Sequence, residues 1–364
     1  MGERNLIFFV LTLSLLSFIF LFSSSFYSWI FVGEEIFFED LMKIISRNIL
    51  NVIFFLIGLI FPIAIFKKFR FFIAWTLLIL LSVPIILDIS IKNTHRWLTI
   101  GDFTLQPSEI FKIGFLLQMS HFLSEPYNLL KFIGTIFYIL LSIFLLYNIP
   151  HFSMIISIIF VTFSLLFING VKLNHLLLPL SISLLIIIAL LSLKRGYVIS
   201  RIEKHMSGET VYQVKQAKIA ISRGGILGVG IGKGKIKYKF LPEVSKDFLF
   251  SHIAEETGLL GVFILILIYS LIIKTLFDSA ILISDEFYRN FLFGTGLFIF
   301  FNVFVHISVN LGLLPVTGVP LPLLSYGGSS GITYSFLLGV SLNIIKSEVG
   351  HSKEENFVLW SRFS

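Results

Sequence analysis

Ten apolar segments, each close to the length of a membrane-spanning helix, dominate this sequence. A helix needs about 20 predominantly apolar residues to cross the hydrocarbon of a bilayer. Within a few residues at either end, the segments run over 5–32, 48–66, 71–91, 109–123, 132–147, 152–168, 175–193, 257–276, 290–308 and 330–345. The pattern predicts an all-α integral membrane protein of ten transmembrane helices, with one large loop between helices 7 and 8. An even number of helices places both ends of the chain on one side.

Composition agrees with a membrane protein and excludes several kinds of site. Only 13% of the residues are charged, against roughly 25% in soluble chains. The sequence has no cysteine, which excludes disulfides, thiol nucleophiles, zinc-thiolate sites and iron-sulfur clusters. Its eight histidines show no ligand spacing such as HExxH, so we expect no protein metal site.

The loop 194–256 is the only long stretch of water-like composition, and we expect the functional residues there. It carries twelve Lys and Arg against six Asp and Glu, nearly the whole net charge of +7. The predicted organisation is helices 1–7 in 1–193, the loop in 194–256, helices 8–10 in 257–346 and a tail in 347–364. The positive-inside rule weighs short loops more than long ones, so charge alone leaves the orientation open.

A glycine-rich stretch, Gly224–Lys235, holds six glycines together with Lys233 and Lys235. A nucleotide-binding P-loop is excluded, because Leu227 and Gly234 stand where that motif needs a glycine and a hydroxyl. Two interpretations remain open. The stretch is either a flexible turn, since glycine permits positive φ, or a loop that contacts an anion.

Asp247 lies where the polar loop meets the eighth apolar helix. A carboxylate at such a boundary is partly desolvated, and we expect its pKa to rise toward that of a general base. The alternatives are a salt bridge to Lys246 and a helix cap.

A second polar cluster surrounds the start of the fourth helix. Ser108 is a predicted N-cap, and Glu109 and Lys112 are three residues apart, so they can pair. Charged groups at membrane depth are costly and usually line a cavity, which makes Arg96, Glu109 and Lys112 candidate functional residues. An interfacial pair that anchors the helix end is the alternative.

The segment 310–330 carries three prolines within eight residues, from Pro315 to Pro322. Irregular backbone at membrane depth persists only where protein buries it or where it lines a water-filled cavity. We therefore expect this segment to fold over or into a polar cleft.

These clusters, in this order and on ten spans, resemble the SEDS family of bacterial cell-wall proteins, typified by FtsW, RodA and SpoVE. The resemblance covers nearly the whole chain. It rests on Arg96-Trp97, Gln106-Pro107-Ser108-Glu109 with Lys112, Tyr212-Gln213 with Gln216, Ile219-Ala220-Ile221 to Gly224-Gly225, Leu241-Pro242-Glu243 with Asp247-Phe248, Glu255-Glu256 with Gly258, and Gly312-Leu313-Leu314-Pro315 through Ser329-Ser330.

The resemblance implies a peptidoglycan glycosyltransferase that polymerises lipid II outside the bacterial plasma membrane. It places both termini in the cytoplasm and makes the loop 194–256 extracellular. The expected partners are lipid II, the nascent glycan strand, a class B penicillin-binding protein transpeptidase and other divisome or elongasome membrane proteins, with no nucleic acid. The expected cofactor is at most a divalent cation, Mg or Mn, bound to the pyrophosphate.

The resemblance also assigns roles to residues. The family aspartate that matches Asp247 is the essential catalytic residue, and those that match Arg96, Glu109 and Lys112 belong to the same extracellular cavity. We expect substrate contacts from these three, and from Lys233, Lys235, Ser325 and Ser329 as well.

Two departures from the family pattern bear on function. The turn after the fifth helix reads Asn148-Ile149-Pro150-His151 where the family usually has an acid, so any role of that acid is in doubt here. The loop also lacks the usual Asp-Pro-rich stretch. Pro315-Val316-Thr317-Gly318 resembles the elongation member RodA, whereas Tyr212-Gln213 and Gly328-Ser329-Ser330 resemble the division member FtsW, which the balance slightly favours.

Two other functions stay open on the sequence. A transporter could flip lipid II or carry an anionic solute, and broken segments at corresponding positions of two halves would favour it. Only one such break, 310–330, is seen. A scaffold that positions a partner transpeptidase is the other alternative.

Overall fold

The computed structural model describes residues 2–31, 34–87, 96–100, 103–124, 129–171, 209–235 and 244–349. Within these ranges the chain is almost entirely helical. The α-helices are α1 (Gly2–Phe31), α2 (Glu34–Ile60), α3 (Ile63–Lys68), α4 (Arg70–Ile86), α5 (Pro107–Ser124), α6 (Leu129–Asn148), α7 (Phe152–Ile168), α8 (Glu209–Gly224), α9 (Leu249–Leu282), α10 (Glu286–Asn310) and α11 (Gly328–Ile344). A π-helical turn, Ile345–Val349, follows α11.

Nine of the ten predicted spans coincide with helices of the described ranges, and the seventh, 175–193, lies outside them. The structure therefore leaves the predicted total of ten open. Within the same ranges, six helices are long and apolar enough to cross a membrane, and Arg70–Ile86 and Phe152–Ile168 are shorter apolar helices. The chain is a multi-pass membrane protein.

The structure corrects two predicted boundaries. The second helix begins at Glu34 instead of residue 48 and breaks at Pro62, which lacks the N–H that a continuous helix needs. The stretch predicted as the loop 194–256 contains α8 and also the first residues of α9. The amphipathic α8 has too many charged residues to be predicted as a membrane span. A search for long apolar segments therefore does not find it.

A short β-hairpin corrects the all-α prediction. Strands β1 (Leu98–Ile100) and β2 (Phe103–Leu105) pair antiparallel, with Leu98 opposite Leu105. Three-residue strands are too short for an alternating pattern to reveal them. The hairpin leads directly into α5.

Two helices, α10 and α11, form the centre of the bundle, since most of their residues are buried. The core helix α5 packs against α4 and α10, while α2 packs against α11 and α1 against α2 and α9. The outer helices expose large apolar side chains such as Phe8, Phe72 and Phe263. In a membrane protein, such side chains face the hydrocarbon of the lipid.

The bundle has two distinct ends. With 25 residues, α10 is about 37 Å long, so Glu286 and Asn310 lie near opposite membrane surfaces. Asp247 contacts the Asn310 end. At the other end, Lys67 forms an ion pair with Asp285, and Gly2 lies near Ser279 in the last turns of α9. The π-turn that follows α11 contacts both α1 and α9, so the start of α1 and the end of α11 share the side remote from Asp247.

Candidate functional site

Asp247 lies in the turn immediately before α9, as the sequence predicts. The N-cap residue of α9 is Phe248, whose side chain makes no capping hydrogen bond, so the structure does not support the helix-cap alternative for Asp247. Asp247 is half-buried. Its Oδ2 lies 3.8 Å from where a Cβ at Gly318 would stand, so the carboxylate lies against the proline-rich segment.

Asn310 anchors the backbone of Asp247 from the end of α10. Its Nδ2 donates to the Asp247 carbonyl oxygen at 3.0 Å, and its Oδ1 accepts from the backbone N and the Oγ of Ser251 at 3.1 and 2.6 Å. Asn310 is fully buried. Sequence reasoning missed it, because nothing in the pattern separates this amide from an ordinary polar residue at a helix end.

The proline-rich segment holds the same turn from the opposite side. Ser325 Oγ donates to the Lys246 carbonyl oxygen at 2.8 Å and accepts from the Leu321 N–H at 3.0 Å. The Tyr326 N–H donates to the Ser245 carbonyl oxygen at 2.7 Å. These contacts confirm that the segment folds over a polar region. They also show that the Ser325 hydroxyl holds backbone, a role that the sequence did not predict.

Glu109 and Lys112 form the predicted ion pair, with Lys112 Nζ 2.8 Å from Glu109 Oε2. Both side chains are buried in α5. Lys112 Nζ also donates to the Tyr334 hydroxyl at 3.2 Å and lies 4.7 Å from the centre of that ring. Such close partners are what a charged pair needs in a bundle interior. The pair therefore lies inside the bundle and not on its surface.

A small polar cavity brings this pair together with the proline-rich segment. It is lined by residues from α5, the start of α7, α10 and that segment: Glu109, Lys112, His151, Ser153, Met154, Ser157, Asn302, Val319 and Pro320. His151, which stands where the resemblance leads one to expect an acid, contributes a neutral or cationic imidazole instead. Its Nδ1 lies 2.9 Å from Ser108 Oγ.

The predicted N-cap role of Ser108 is wrong. The helix α5 begins at Pro107, so Ser108 lies within its first turn and its hydroxyl contacts His151. Proline is favoured at the first helical position because its missing N–H would lack a partner there.

Arg96 binds the turn that leads into His151. Its Nε donates to the Ile149 carbonyl oxygen at 3.2 Å, and its Nη2 donates to that of Pro150. Arg96 is not among the described residues that line the polar cavity. The structure thus places Arg96 next to the Glu109 and Lys112 site, where it holds a wall of the cavity.

Ser329, at the start of α11, links that helix to the hairpin. Its Oγ accepts from the Gln106 N–H at 2.7 Å. Ser329 also lies at the edge of an apolar groove between α2, α5 and α11, lined by Leu50, Phe54, Leu105, Ile110, Ile113, Ser329, Ile332, Thr333 and Phe336. The groove opens on the outside of the bundle next to the hairpin.

The glycine-rich stretch docks on a break in α9, and neither sequence interpretation foresaw this. Gly258 has φ 68° and ψ −165°, which interrupts the helix. The backbone groups at the break find partners in the stretch. The Val229 and Gly230 N–H groups donate to the carbonyl oxygens of Glu255 and Glu256, and the Leu259 and Leu260 N–H groups donate to those of Gly225 and Ile226. The stretch therefore completes the hydrogen bonds that α9 loses at its break.

Two buried carboxylates secure the end of the same stretch. Glu255 accepts from the Lys235 N–H at 3.0 Å and pairs with Arg223 at 3.0 Å. Glu256 accepts from the Gly234 N–H at 3.3 Å and from Ser23 Oγ at 2.7 Å. Some of the backbone N–H groups that could bind an anion, those of Gly234 and Lys235, therefore already donate to these carboxylates. The side chains of Lys233 and Lys235 are exposed.

The alternating lysines beyond Lys235 lie outside the described residues, as does the Leu241-Pro242-Glu243 motif. Within the described ranges, no cluster of three or more His, Asp or Glu side chains is arranged to hold a metal ion.

Comparisons with known proteins agree with this architecture. The family model FtsW/RodA/SpoVE, described as "cell cycle protein", matches residues 3–349. The peptidoglycan glycosyltransferase MrdB of Helicobacter pylori is 35% identical over 318 residues, covering 80% of this chain and 81% of that protein. The probable peptidoglycan glycosyltransferase FtsW of Buchnera aphidicola is 31% identical over 325 residues, covering 84% and 85%.

Solved structures share the fold. A chain from a study of how a peptidoglycan synthase complex coordinates polymerization and crosslinking has a TM-score of 0.75 at 24% identity, covering 95% of this chain and 98% of that one. The rod shape determining protein RodA of Thermus thermophilus has a TM-score of 0.70 at 24% identity, covering 94% and 96%. With a family model that spans almost its whole length, the chain belongs to the FtsW/RodA/SpoVE family, also called SEDS.

Proposed function

We propose that this chain is a peptidoglycan glycosyltransferase that polymerises lipid II into β-1,4 glycan strands at the outer face of the bacterial plasma membrane, with Asp247 as its catalytic base. The observation that carries the proposal is the placement of Asp247. Its carboxylate lies beside the proline-rich segment, with Oδ2 3.8 Å from the Cβ position of Gly318, while its backbone carbonyl is held by Asn310. A base held in this way can act on a substrate without first reorganising.

Asp247 takes the proton from the sugar 4-hydroxyl of one glycan. The resulting oxygen nucleophile attacks the anomeric carbon of a second, lipid-linked glycan, and the bond from that carbon to the pyrophosphate breaks. Direct displacement inverts the anomeric carbon, so an α-linked donor yields a β-1,4 linkage.

The departing pyrophosphate requires cations where its charge develops. We assign this role to Lys112 in the polar cavity, to Arg96 beside it, and to the exposed Lys233 and Lys235. The contact between Glu109 and Lys112 supports Glu109 as the residue that orients this lysine, and not as a second base. Any divalent cation, Mg²⁺ or Mn²⁺, is assigned to the pyrophosphate, because it brings the oxygen ligands that such ions prefer.

The lipid chain of a substrate would lie in the apolar groove between α2, α5 and α11. Aliphatic and aromatic side chains form most of the lining of this groove. Burial of each methylene of the lipid there contributes about 0.8 kcal/mol. Ser329, at the edge of the groove, would lie at the junction between the lipid chain and the head group of the substrate. Ser325 is assigned to holding the backbone beside Asp247.

The remaining assignments follow the family. Both termini are placed in the cytoplasm, because the start of α1 and the end of α11 lie opposite Asp247. The stretch 194–256 is then extracellular, 347–364 is a cytoplasmic tail, and no nucleic acid takes part. A class B penicillin-binding protein transpeptidase and other divisome or elongasome membrane proteins are the proposed partners. A solved structural neighbour comes from a peptidoglycan synthase complex that coordinates polymerization with crosslinking.

The test is polymerisation of labelled lipid II by the purified protein with no other enzyme present. We expect glycan strands from the unmodified chain and a loss of at least about 100-fold in the Asp247→Asn variant, since general-base catalysis contributes about 10²–10⁴-fold. Asp278→Asn is the matched control, because Asp278 is an exposed carboxylate in the last turns of α9, paired with Lys274. It should polymerise normally.

Three outcomes would contradict the proposal. Polymer at the normal rate from the Asp247→Asn variant would exclude this base. Movement of lipid II across the bilayer without polymer would show a transporter. Polymer that forms only when a second polymerase is added would show a scaffold.

A further inference from the structure

Arg47 is a buried cation on α2, only 5% exposed. A charged side chain inside a membrane bundle is costly and calls for strong partners. Within the described part of the chain, Arg47 has no carboxylate partner. Its Nη1 donates to Ser17 Oγ at 2.8 Å, and its Nη2 donates to the Leu323 carbonyl oxygen at 2.9 Å. The guanidinium therefore bonds to the proline-rich segment and to α1 at once.

The backbone that Arg47 binds is a turn held from three helices. Leu323 has φ 64°, a left-handed conformation that is rare outside glycine and persists only where the surroundings impose it. Three successive carbonyl oxygens of this turn accept from three helices: Pro322 from the Tyr269 hydroxyl on α9 at 2.5 Å, Leu323 from Arg47 on α2, and Leu324 from Ser17 Oγ on α1 at 3.0 Å. Arg47 donates to the middle carbonyl of the three. It also donates to Ser17, which is itself the donor to the Leu324 carbonyl.

The same turn holds the backbone next to Asp247. Directly after the three carbonyls, Ser325 Oγ donates to the Lys246 carbonyl oxygen and the Tyr326 N–H donates to that of Ser245. A shift of the turn would therefore move Ser245 and Lys246, and Asp247 with them.

We infer that Arg47 is a positioning residue for glycan transfer: from inside the bundle it fixes the turn at Leu323, and through that turn the place of the Asp247 carboxylate. The inference rests on the proposed role of Asp247 as the base. Arg47 is buried within the bundle, so its role is to act through the turn at Leu323 and not by touching substrate. A misplacement of about 1 Å can cost about 100-fold in rate, so its loss should lower turnover.

Arg47→Met tests this. Methionine removes the donors and the buried charge together and keeps an unbranched apolar side chain, but it leaves the Leu323 carbonyl oxygen without this donor. In the purified polymerisation assay we expect kcat to fall about 10- to 100-fold, with KM for lipid II near that of the unmodified protein and a lowered melting temperature in detergent. Arg47→Lys keeps the charge but not the two-pronged donor, so we expect only partial rescue of kcat.

A double variant shows whether the effect passes through the turn. Ser325→Ala removes the next link toward Asp247. If both residues act along one path, Arg47→Met with Ser325→Ala should lower kcat by clearly less than the product of the two single effects. Asn343→Leu is the control, because Asn343 Nδ2 also donates to a backbone carbonyl, that of Phe61 just after the end of α2, at 2.6 Å. It should leave kcat unchanged.

Each other result overturns the inference. Normal kcat in Arg47→Met, a raised KM with normal kcat, effects that multiply fully in the double variant, or an equal loss in Asn343→Leu would each do so. If Arg47→Met does not fold, a normal kcat in Ser325→Ala decides against the inference. These failures differ from failure of the proposed function, in which the unmodified chain makes no polymer or Asp247→Asn polymerises normally.

Discussion

The buried charged residues of this bundle are the ones whose environment the structure explains most fully. Glu109 and Lys112 neutralise each other inside the bundle, Glu255 and Glu256 hold backbone N–H groups, and Arg47 binds a carbonyl and a hydroxyl. Each has found partners within the protein, as a low-dielectric interior requires. Lys233 and Lys235, by contrast, have exposed side chains that a phosphate could reach directly.

The Glu109 and Lys112 pair allows its structural and functional roles to be separated. Lys112→Met leaves a buried carboxylate without its cation, which should cost about 3–5 kcal/mol of stability. The double variant Glu109→Gln with Lys112→Met removes both charges, so most of that stability should return. We expect polymerisation to stay low in both, because the cation is missing. Melting temperature and lipid II polymerisation measure the two effects, and an active double variant would contradict a role of Lys112 in transfer.

At the level of elements, the break in α9 and the glycine-rich stretch form one unit. The break exposes backbone groups that the stretch satisfies, and it needs Gly258 because φ is positive there and a Cβ would stand 2.3 Å from Gly228 N. The apolar pattern began the eighth helix at residue 257 and missed both the first turns of α9 and the break, since hydropathy does not report where a helix is interrupted. The hydrogen-bond partners at the break, 26 or more residues apart along the chain, became apparent only from tertiary contacts.

Gly258→Ala should separate the stretch from α9. We expect faster hydrogen exchange over 224–235 and a loss of polymerisation, since the stretch carries Lys233 and Lys235. Gly134→Ala is the control, because Gly134 lies inside α6 with no atom within 4 Å of its new Cβ. That change should be neutral or stabilising by up to about 1 kcal/mol. Unchanged exchange in Gly258→Ala would show that the docking does not depend on this glycine.

For the whole molecule, the two ends of the bundle define the two sides of the membrane. The hairpin, the starts of α5, α7, α9 and α11 and the proline-rich segment gather at the Asp247 end, while Lys67 and Asp285 mark the other. Charge counts could not assign these ends, because nearly all the net charge lies in one long stretch. Their separation follows from helix lengths and contacts.

Thiol labelling tests this orientation directly. The chain has no cysteine, so a single introduced thiol is the only reactive one. Leu227, 77% exposed in the glycine-rich stretch, and Glu286, with a side chain 50% exposed at the other end, are suitable sites. In intact cells, a membrane-impermeant maleimide should label Leu227→Cys, and it should reach Glu286→Cys only after permeabilisation. The reverse pattern would contradict the proposed topology.

By itself, the sequence determined that this is a helical membrane protein, where most of its spans lie, and that Glu109 and Lys112 can pair, because hydropathy and helical spacing act over short distances. It also singled out Asp247, whose position at a polar boundary is visible along the chain. Only the tertiary structure decided how Asp247 is held, through Asn310, Ser325 and the turn bound by Arg47. Those contacts join residues far apart in sequence, and buried hydrogen bonds between distant segments leave no periodic signal in a single chain.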